Sequence, residues 1–301
     1  MRILVTGAAG QVGMALARAL PDLGDLVLAG RDALDLSHPE AIAGRLSAFN
    51  PDLIVNAAAY TAVDRAETER DLAYAVNAAA VEAMGRWAAA EKVPLIHFST
   101  DYVFDGRASE PYRETDPVNP LSVYGKSKAE GERLLLATGA PCLIVRTSWV
   151  YAATGKNFVK TIARLAGERS GLAVVSDQMG TPTSAAQIAS FVRALAGEGL
   201  PGLPALFEAS SRLVHFTASG WTTWHGFACA IVAGMKRRGV PVKASEVRAI
   251  PTSDYPTPAE RPQFSRLSTA RLQSVFNFHP EPWERALDGV LDTMFGGKPS
   301  S

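Results

Sequence analysis

The sequence predicts an α/β fold: a doubly wound parallel sheet of the Rossmann type with a smaller C-terminal substrate-binding lobe. Three observations predict it. Short, continuous apolar runs alternate with helical patterns through the first half. A glycine-rich turn joins the first of these runs to the first helix. After Trp149 the alternation loosens into proline- and glycine-rich stretches. Continuous apolar strands separated by helices belong to a parallel sheet covered on both faces.

Ile3-Leu4-Val5 is the first strand, and Val12, Leu16 and Leu20 form one stripe of the helix behind it. Leu26-Val27-Leu28 follows as a strand. Ser37-His38-Pro39-Glu40 reads as a helix start, a serine cap with glutamate three residues on. Next come the strand Leu53-Ile54-Val55, a helix from Asn77 to Ala90, a strand from Pro94 to Phe98, a helix from Tyr124 to Ala137 and a strand from Cys142 to Val145. Further on, Asn157 to Glu168, Ala185 to Ala196 and Gly226 to Arg238 read as helices and Ala173 to Val175 as a short strand. Thr181 to Thr183, Pro201 to Pro204 and Pro251 to Pro262 are loop-rich, and such segments at the carboxyl side of a parallel sheet build ligand pockets. The expected division is a dinucleotide-binding domain over 1–150 and a mainly substrate-binding lobe over 151–301, the chain crossing back between them. The tail from Gly296 to Ser301 is expected to be mobile.

Composition narrows the function. With 47% hydrophobic residues in 301, disorder is excluded. Lys+Arg 30 balance Asp+Glu 30, so no basic field offers itself to nucleic acid or anionic lipid, and an anionic ligand must be held by local groups. No run reaches the roughly 18 apolar residues of a membrane span. Cys142 and Cys229 lie in apolar stretches and are expected to be unpaired core residues. Together with a strand that begins too early to leave room for a signal peptide, they point to the cytoplasm.

Gly7-Ala8-Ala9-Gly10-Gln11-Val12-Gly13 sits between strand and helix, where glycines let a pyrophosphate approach the backbone and the helix start offers free N–H groups. The second strand ends in Gly30-Arg31-Asp32. Glycine stands where an NAD-specific fold usually has an acid, and Arg31 suits a 2′-phosphate, which favours NADPH. Asp32 leaves NADH use open. Asp35 and Leu36 are expected to border the adenine, and the small residues of Asn56-Ala57-Ala58-Ala59-Tyr60-Thr61 leave room for a flat ring or ribose.

Tyr124 and Lys128 are four residues apart at a helix start, hence on one face. A phenol works as a proton donor near neutral pH if a nearby cation favours its ionised form, and Lys128 can supply that charge. Thr100, at the end of the Leu95 to Phe98 strand, would hydrogen-bond the carbonyl that Tyr124 protonates.

GxxGxxG, Ser99-Thr100 and YxxxK together resemble the extended short-chain dehydrogenase/reductases acting on nucleotide sugars. Longer stretches narrow the likeness: Val55 to Asp64, Ser99 to Phe104, Arg146 to Tyr151, Asp177 to Thr183 and Tyr255 to Pro262. These resemble the dTDP-4-dehydrorhamnose reductase family from Met1 to about Phe295. The resemblance implies NADPH-dependent reduction of the C4 ketone of dTDP-4-dehydro-L-rhamnose to dTDP-L-rhamnose. It places Gly10, Gln11 and Val12 at the pyrophosphate and Ala59, Tyr60, Thr61 and Phe98 along the cofactor. Thr100, Asp101 and Trp149 border the sugar, Tyr124 donates the proton, and Lys128 orients tyrosine and cofactor. Trp221 and Trp224 are candidates for stacking on sugar or base, with core packing as the alternative. Arg261 and Arg266 are candidates for the diphosphate, with structural ion pairing as theirs.

Some relatives pair through a metal held by glutamates on three helices. Aligned motifs put Ala15, Ala186 and Thr293 at those positions, with Asp292 one residue out of step, so the expectation is a monomer or a metal-independent dimer and no metal. A regulatory subunit of the same fold, or a nucleotide-sugar epimerase or dehydratase that retains NAD, is the alternative function. The intact Thr100, Tyr124 and Lys128 favour catalysis.

Overall fold

A computed structural model describes residues 1–296; the rest of the tail expected to be mobile, 297–301, lies outside the described residues. The first half runs β1 (Arg2–Thr6), α1 (Gln11–Ala19), β2 (Asp25–Ala29), α2 (Ile42–Phe49), β3 (Leu53–Asn56), α3 (Val63–Ala66), α4 (Arg70–Tyr74), α5 (Ala80–Glu91), β4 (Leu95–Thr100), α6 (Val123–Ala137) and β5 (Cys142–Thr147). The second half adds β6 (Val150–Tyr151), α7 (Phe158–Glu168), β7 (Gly171–Val175), β8 (Met179–Gly180), β9 (Thr183–Ser184), α8 (Ala185–Gly197), α9 (Leu203–Ala209) and β10 (Leu213–His215). It ends with β11 (Thr222–Thr223), α10 (Trp224–Arg237), β12 (Glu246–Ile250), α11 (Ala270–Phe276) and α12 (Trp283–Phe295).

Six strands pair in parallel in the order β10-β5-β4-β3-β1-β2. Because β2 and β3 flank β1 on opposite sides, the strand order reverses there and opens a crevice at the carboxyl ends. Side-chain alternation sends Ile3, Val5, Ile96, Phe98, Leu143 and Val145 to the face covered by α1 and α8, and Leu4, Ile54, Leu95, Cys142 and Ile144 to the face covered by α2, α5 and α6. Both faces are therefore apolar, which is why the strands read as unbroken hydrophobic runs.

A second core forms around Tyr151, Ile162, Phe227, Ile231, Trp283 and Leu291, from α7, α10 and α12. The chain is not divided cleanly at residue 150. Ile188, Phe191, Phe207, Val214 and Leu272 return to the first core, and β10 joins the central sheet beside β5.

Local readings need three corrections. Ser37 is not a helix cap: its N–H and hydroxyl both bond Asp35 Oδ1 (2.9 and 2.8 Å), and the helix begins with a tight turn at Pro39–Ala41. The helix expected to start at Asn77 starts at Arg70 and passes through a π-turn, Ala75–Ala79, into α5. There the Asn77 side chain turns away to the backbone of Tyr60 and to Ser127, and Gly131 of α6 packs on its carbonyl. Cys142 is buried as expected, but Cys229 is only half-buried, its Sγ 3.5 Å from His225 Nε2.

Candidate active site

A cavity of about 720 Å³ occupies the crevice at the carboxyl ends of β1, β3, β4 and β5. Its wall includes Gly7, Gly10, Gln11 and Val12 from the first turn, and Arg31, Asp35 and Leu36 beyond β2. Ala59 and Thr61 beyond β3, Phe98 and Thr100 on β4, Asp101 just after it, Tyr124 and Lys128 on α6, and Trp149 beyond β5 also line it. Residues scattered over the sequence thus meet because each follows a strand that ends at the same edge.

Gly7 has φ +64°, and a Cβ there would lie 2.7 Å from the backbone of Ala58, so only glycine fits. Gly13 does not line the cavity. A Cβ on it would strike the Gly7 carbonyl, so its role is to seat α1 against the turn. At the start of α1 the cap residue Gly10 has no side chain and no acid occupies the first turn, leaving the helix N–H groups to an anionic ligand. Gln11 also ties the two lobes together, accepting from Asn157 Nδ2 at 2.8 Å. The Asp35 carboxyl is held below its usual range by the two bonds from Ser37.

Besides Gly13, two expected site residues stand apart from this wall. The Tyr60 phenol donates to Glu69 Oε2 at 2.6 Å, which ties it to α4's entry, while its backbone rests on Asn77. Arg261 is bound to Asp64 at 2.9 Å and lines a neighbouring hollow of about 530 Å³ with Tyr255 and Gln263. Arg266 lies over the exposed Trp221 ring, 4.9 Å from its centroid. Trp224, by contrast, lines the main cavity and stacks on Trp149 at 3.6 Å between centroids, 7° from parallel. Trp149 takes φ +48°, a left-handed conformation costly for a bulky residue, and its indole fills the space that a Cβ at Gly180 would need.

Burial governs the electrostatics of the reacting groups. It pushes the Tyr124 phenol up to about 12, the neighbouring Thr100 hydroxyl opposing and Asp101 reinforcing the rise. Burial also lowers the Lys128 ammonium to about 8, against the favourable field of Glu132. Nζ bonds the Phe98 carbonyl (2.7 Å) and faces His97 Nε2 (3.2 Å). Nζ is thus bonded to β4, with no hydrogen bond to the Tyr124 hydroxyl among the described residues. Asp101, also buried, rises to about 6, while its Oδ1 accepts from Thr100.

Three buried polar atoms around the cavity, Ser99 Oγ, Asp101 Oδ2 and Thr147 Oγ1, have no partner among the described residues. Such groups cost about 1–3 kcal/mol each unless a ligand satisfies them. Thr100 and Thr147 are paired across β4 and β5, so the orphaned atoms cluster at one sheet edge beside Tyr124. Sequence reasoning missed Thr147, Lys156 and His97. The legible signal for His97 and Thr147 is a polar residue at or near the end of an otherwise apolar strand; Lys156, on a loop of the second lobe, has none.

The model of the family described as RmlD substrate binding domain matches residues 1–295. A dTDP-4-dehydrorhamnose reductase of Burkholderia thailandensis is 47% identical, over 95% of this chain and 97% of its own. The crystal structure of a dTDP-4-dehydrorhamnose reductase from Clostridium acetobutylicum superposes with a TM-score of 0.88 at 34% identity, covering 98% of this chain and 99% of that one. That of the Bacillus anthracis reductase, in complex with NADP, gives 0.86 at 32% identity over 97% and 99%. The match extends through both lobes and includes the cavity walls. The chain belongs to the RmlD family, the dTDP-4-dehydrorhamnose reductases.

Proposed function

We propose that the chain reduces the C4 ketone of dTDP-4-dehydro-L-rhamnose to the alcohol of dTDP-L-rhamnose, using NADPH. The observation that carries this reading is the convergence of Thr100, Tyr124 and Lys128 in one cavity with the uncapped start of α1. NADPH, when bound, supplies the hydride. The turn Gly7 to Val12 would hold its pyrophosphate, and Arg31 its 2′-phosphate.

Thr100 positions the ketone oxygen by hydrogen bonding, and Tyr124, its phenol buried and protonated, delivers the proton to that oxygen as negative charge develops. Asp101, Ser99 and Thr147 supply unpaired polar atoms to the sugar hydroxyls or the cofactor. The Trp149–Trp224 stack bounds the sugar and keeps water from the reacting carbon.

Protein that is free of nucleotide as purified and consumes added NADPH in the presence of the keto sugar would support a reductase. Tightly retained NAD would indicate an epimerase or dehydratase instead. Arg31→Ala should weaken NADPH by roughly 10- to 150-fold and NADH far less, since a charge-assisted bond to the 2′-phosphate contributes about 1.5–3 kcal/mol. Titrating both cofactors checks this; equal losses would move the 2′-phosphate elsewhere.

We also propose a monomer or a dimer built without metal. Ala186 and Thr293 line a surface hollow of about 510 Å³, and the Thr293 hydroxyl donates to the Gly289 carbonyl at 3.0 Å. The Asp292 carboxylate is bound by Arg238 at 2.8 Å and so is not free to ligate. Sedimentation should give the same mass with and without a chelator; a chelator that splits a dimer would refute the proposal.

A further inference from the structure

Lys156 stands on the loop between β6 and α7 and lines the main cavity together with Gly10, Gln11 and Gly155. This loop is built against the start of α1. Gln11, the first residue of that helix, accepts from Asn157 Nδ2 (2.8 Å) and donates from Nε2 to the Val150 carbonyl (3.4 Å). The same Asn157 amide donates to the Ala152 carbonyl (2.8 Å), while its Oδ1 accepts from the Lys160 N–H and so caps α7. Gly155 takes φ +75°, and a Cβ there would lie 3.1 Å from Gln11 Cγ. Conformation and close approach both favour glycine at that point. The loop therefore packs on the pyrophosphate turn at Gln11, and Lys156 is the next residue along.

Charge indicates what this lysine meets. Among the described residues, the lysines and arginines lining the cavity are Arg31, Lys128 and Lys156. Lys128 Nζ is bonded to β4 through the Phe98 carbonyl at 2.7 Å. Arg31 lies beyond β2 with Asp35, whose carboxyl it helps to hold below its usual range. Lys156 is exposed and has no carboxylate within ion-pair distance among the described residues. The positive end of a helix dipole repels a cation placed beside it. Here that helix end, with its N–H groups uncapped, and the lysine line one hollow, an arrangement that an anion between them makes favourable. The chain as a whole is neutral, so the attraction has to be local.

We propose that Lys156 is a cofactor-binding residue of the second lobe, pairing with the NADPH pyrophosphate at the start of α1. This rests on the reading of the crevice as the NADPH site. The pyrophosphate is assigned, and not the 2′-phosphate, because Gly155 packs against Gln11, whereas Arg31 and Asp35 lie beyond β2. Two consequences follow from the position. The pairing ties the two lobes together ionically, beside the neutral tie that Gln11 and Asn157 already make. It also acts alike on NADPH and NADH, since both carry the pyrophosphate.

The test is binding without turnover: NADPH, NADH and dTDP are titrated separately, by calorimetry, into the wild-type protein, Lys156→Met and Lys156→Arg. Methionine keeps the apolar stem and removes the charge, and the exposed position tolerates it. Lys156→Met should weaken NADPH and NADH by the same factor, roughly 3- to 10-fold, as a charge-assisted bond reduced by solvent would. That pattern differs from Arg31→Ala, which should act on NADPH. Lys156→Arg should keep most of the affinity, and raising the salt to about 0.5 M should narrow the difference between Lys156→Met and wild type. Equal cofactor affinities in all three proteins would overturn the proposal and leave a solvated lysine. A loss confined to NADPH would assign Lys156 to the 2′-phosphate, and unchanged cofactors with weakened dTDP would assign it to the substrate diphosphate; either result contradicts the pyrophosphate role. A wild-type protein that binds neither nicotinamide nucleotide would remove the cofactor site itself, a failure distinct from that of Lys156 alone.

Discussion

Replacing Tyr124 by phenylalanine is expected to lower the chemical step by ~100- to 10,000-fold, the range that a positioned general acid contributes. Folding should be undisturbed. The ring keeps its edge contact with Tyr102, 5.6 Å between centroids, and its place among Ala66, Ala73 and Val123. Only the hydroxyl is lost, and that hydroxyl is a buried group whose ionisation burial disfavours. NADPH binding should also persist, since the pyrophosphate turn is untouched. Single-turnover kinetics with cofactor titration separates these effects; an unchanged rate would remove Tyr124 as the acid.

The largest effect on stability is expected from Glu132→Gln, a loss of about 3–5 kcal/mol. Glu132 on α6 and Arg146 on β5 form a two-pronged pair at 2.9 and 2.6 Å, both almost wholly buried. The amide keeps the shape and removes the charge, leaving the guanidinium buried without a counterion. What remains around it is the Phe104 ring, 5.1 Å from the guanidinium carbon, and His215 Nε2 at 3.4 Å. Burial and the Arg146 charge hold His215 down to about 3, so near neutral pH it can accept but cannot compensate charge. Denaturant unfolding measures the loss. A loss below about 1 kcal/mol, the scale of an exposed pair, would show that the arginine has other means of support. Replacing both partners by apolar residues should recover much of it.

The parallel sheet was legible because its strands, buried on both faces, are continuous apolar runs. The glycine turn and the Tyr124–Lys128 spacing were legible because both are local, within one turn or one helix. β10 was not, since three residues between the left-handed Arg212 and Phe216 carry too little pattern to read as a strand. Ser37 has the right spacing for a cap, yet the nearer Asp35 carboxylate wins its hydrogen bonds. The Arg261–Asp64 pair joins residues 197 positions apart, which no sequence window connects. Lys128 shows the same limit in the site itself. Its place on α6 follows from spacing, but its partners on β4 follow from how α6 crosses the sheet.

The most direct measurement is the fate of the hydride. The protein is mixed with dTDP-4-dehydro-L-rhamnose and NADPH deuterated at the transferable position of the nicotinamide, and the sugar nucleotide is recovered for NMR and mass analysis. The predicted result is dTDP-L-rhamnose with one deuterium on C4 and one equivalent of NADP⁺. Absence of turnover with this pair, or turnover only with a different keto-sugar nucleotide, would contradict the assigned reaction.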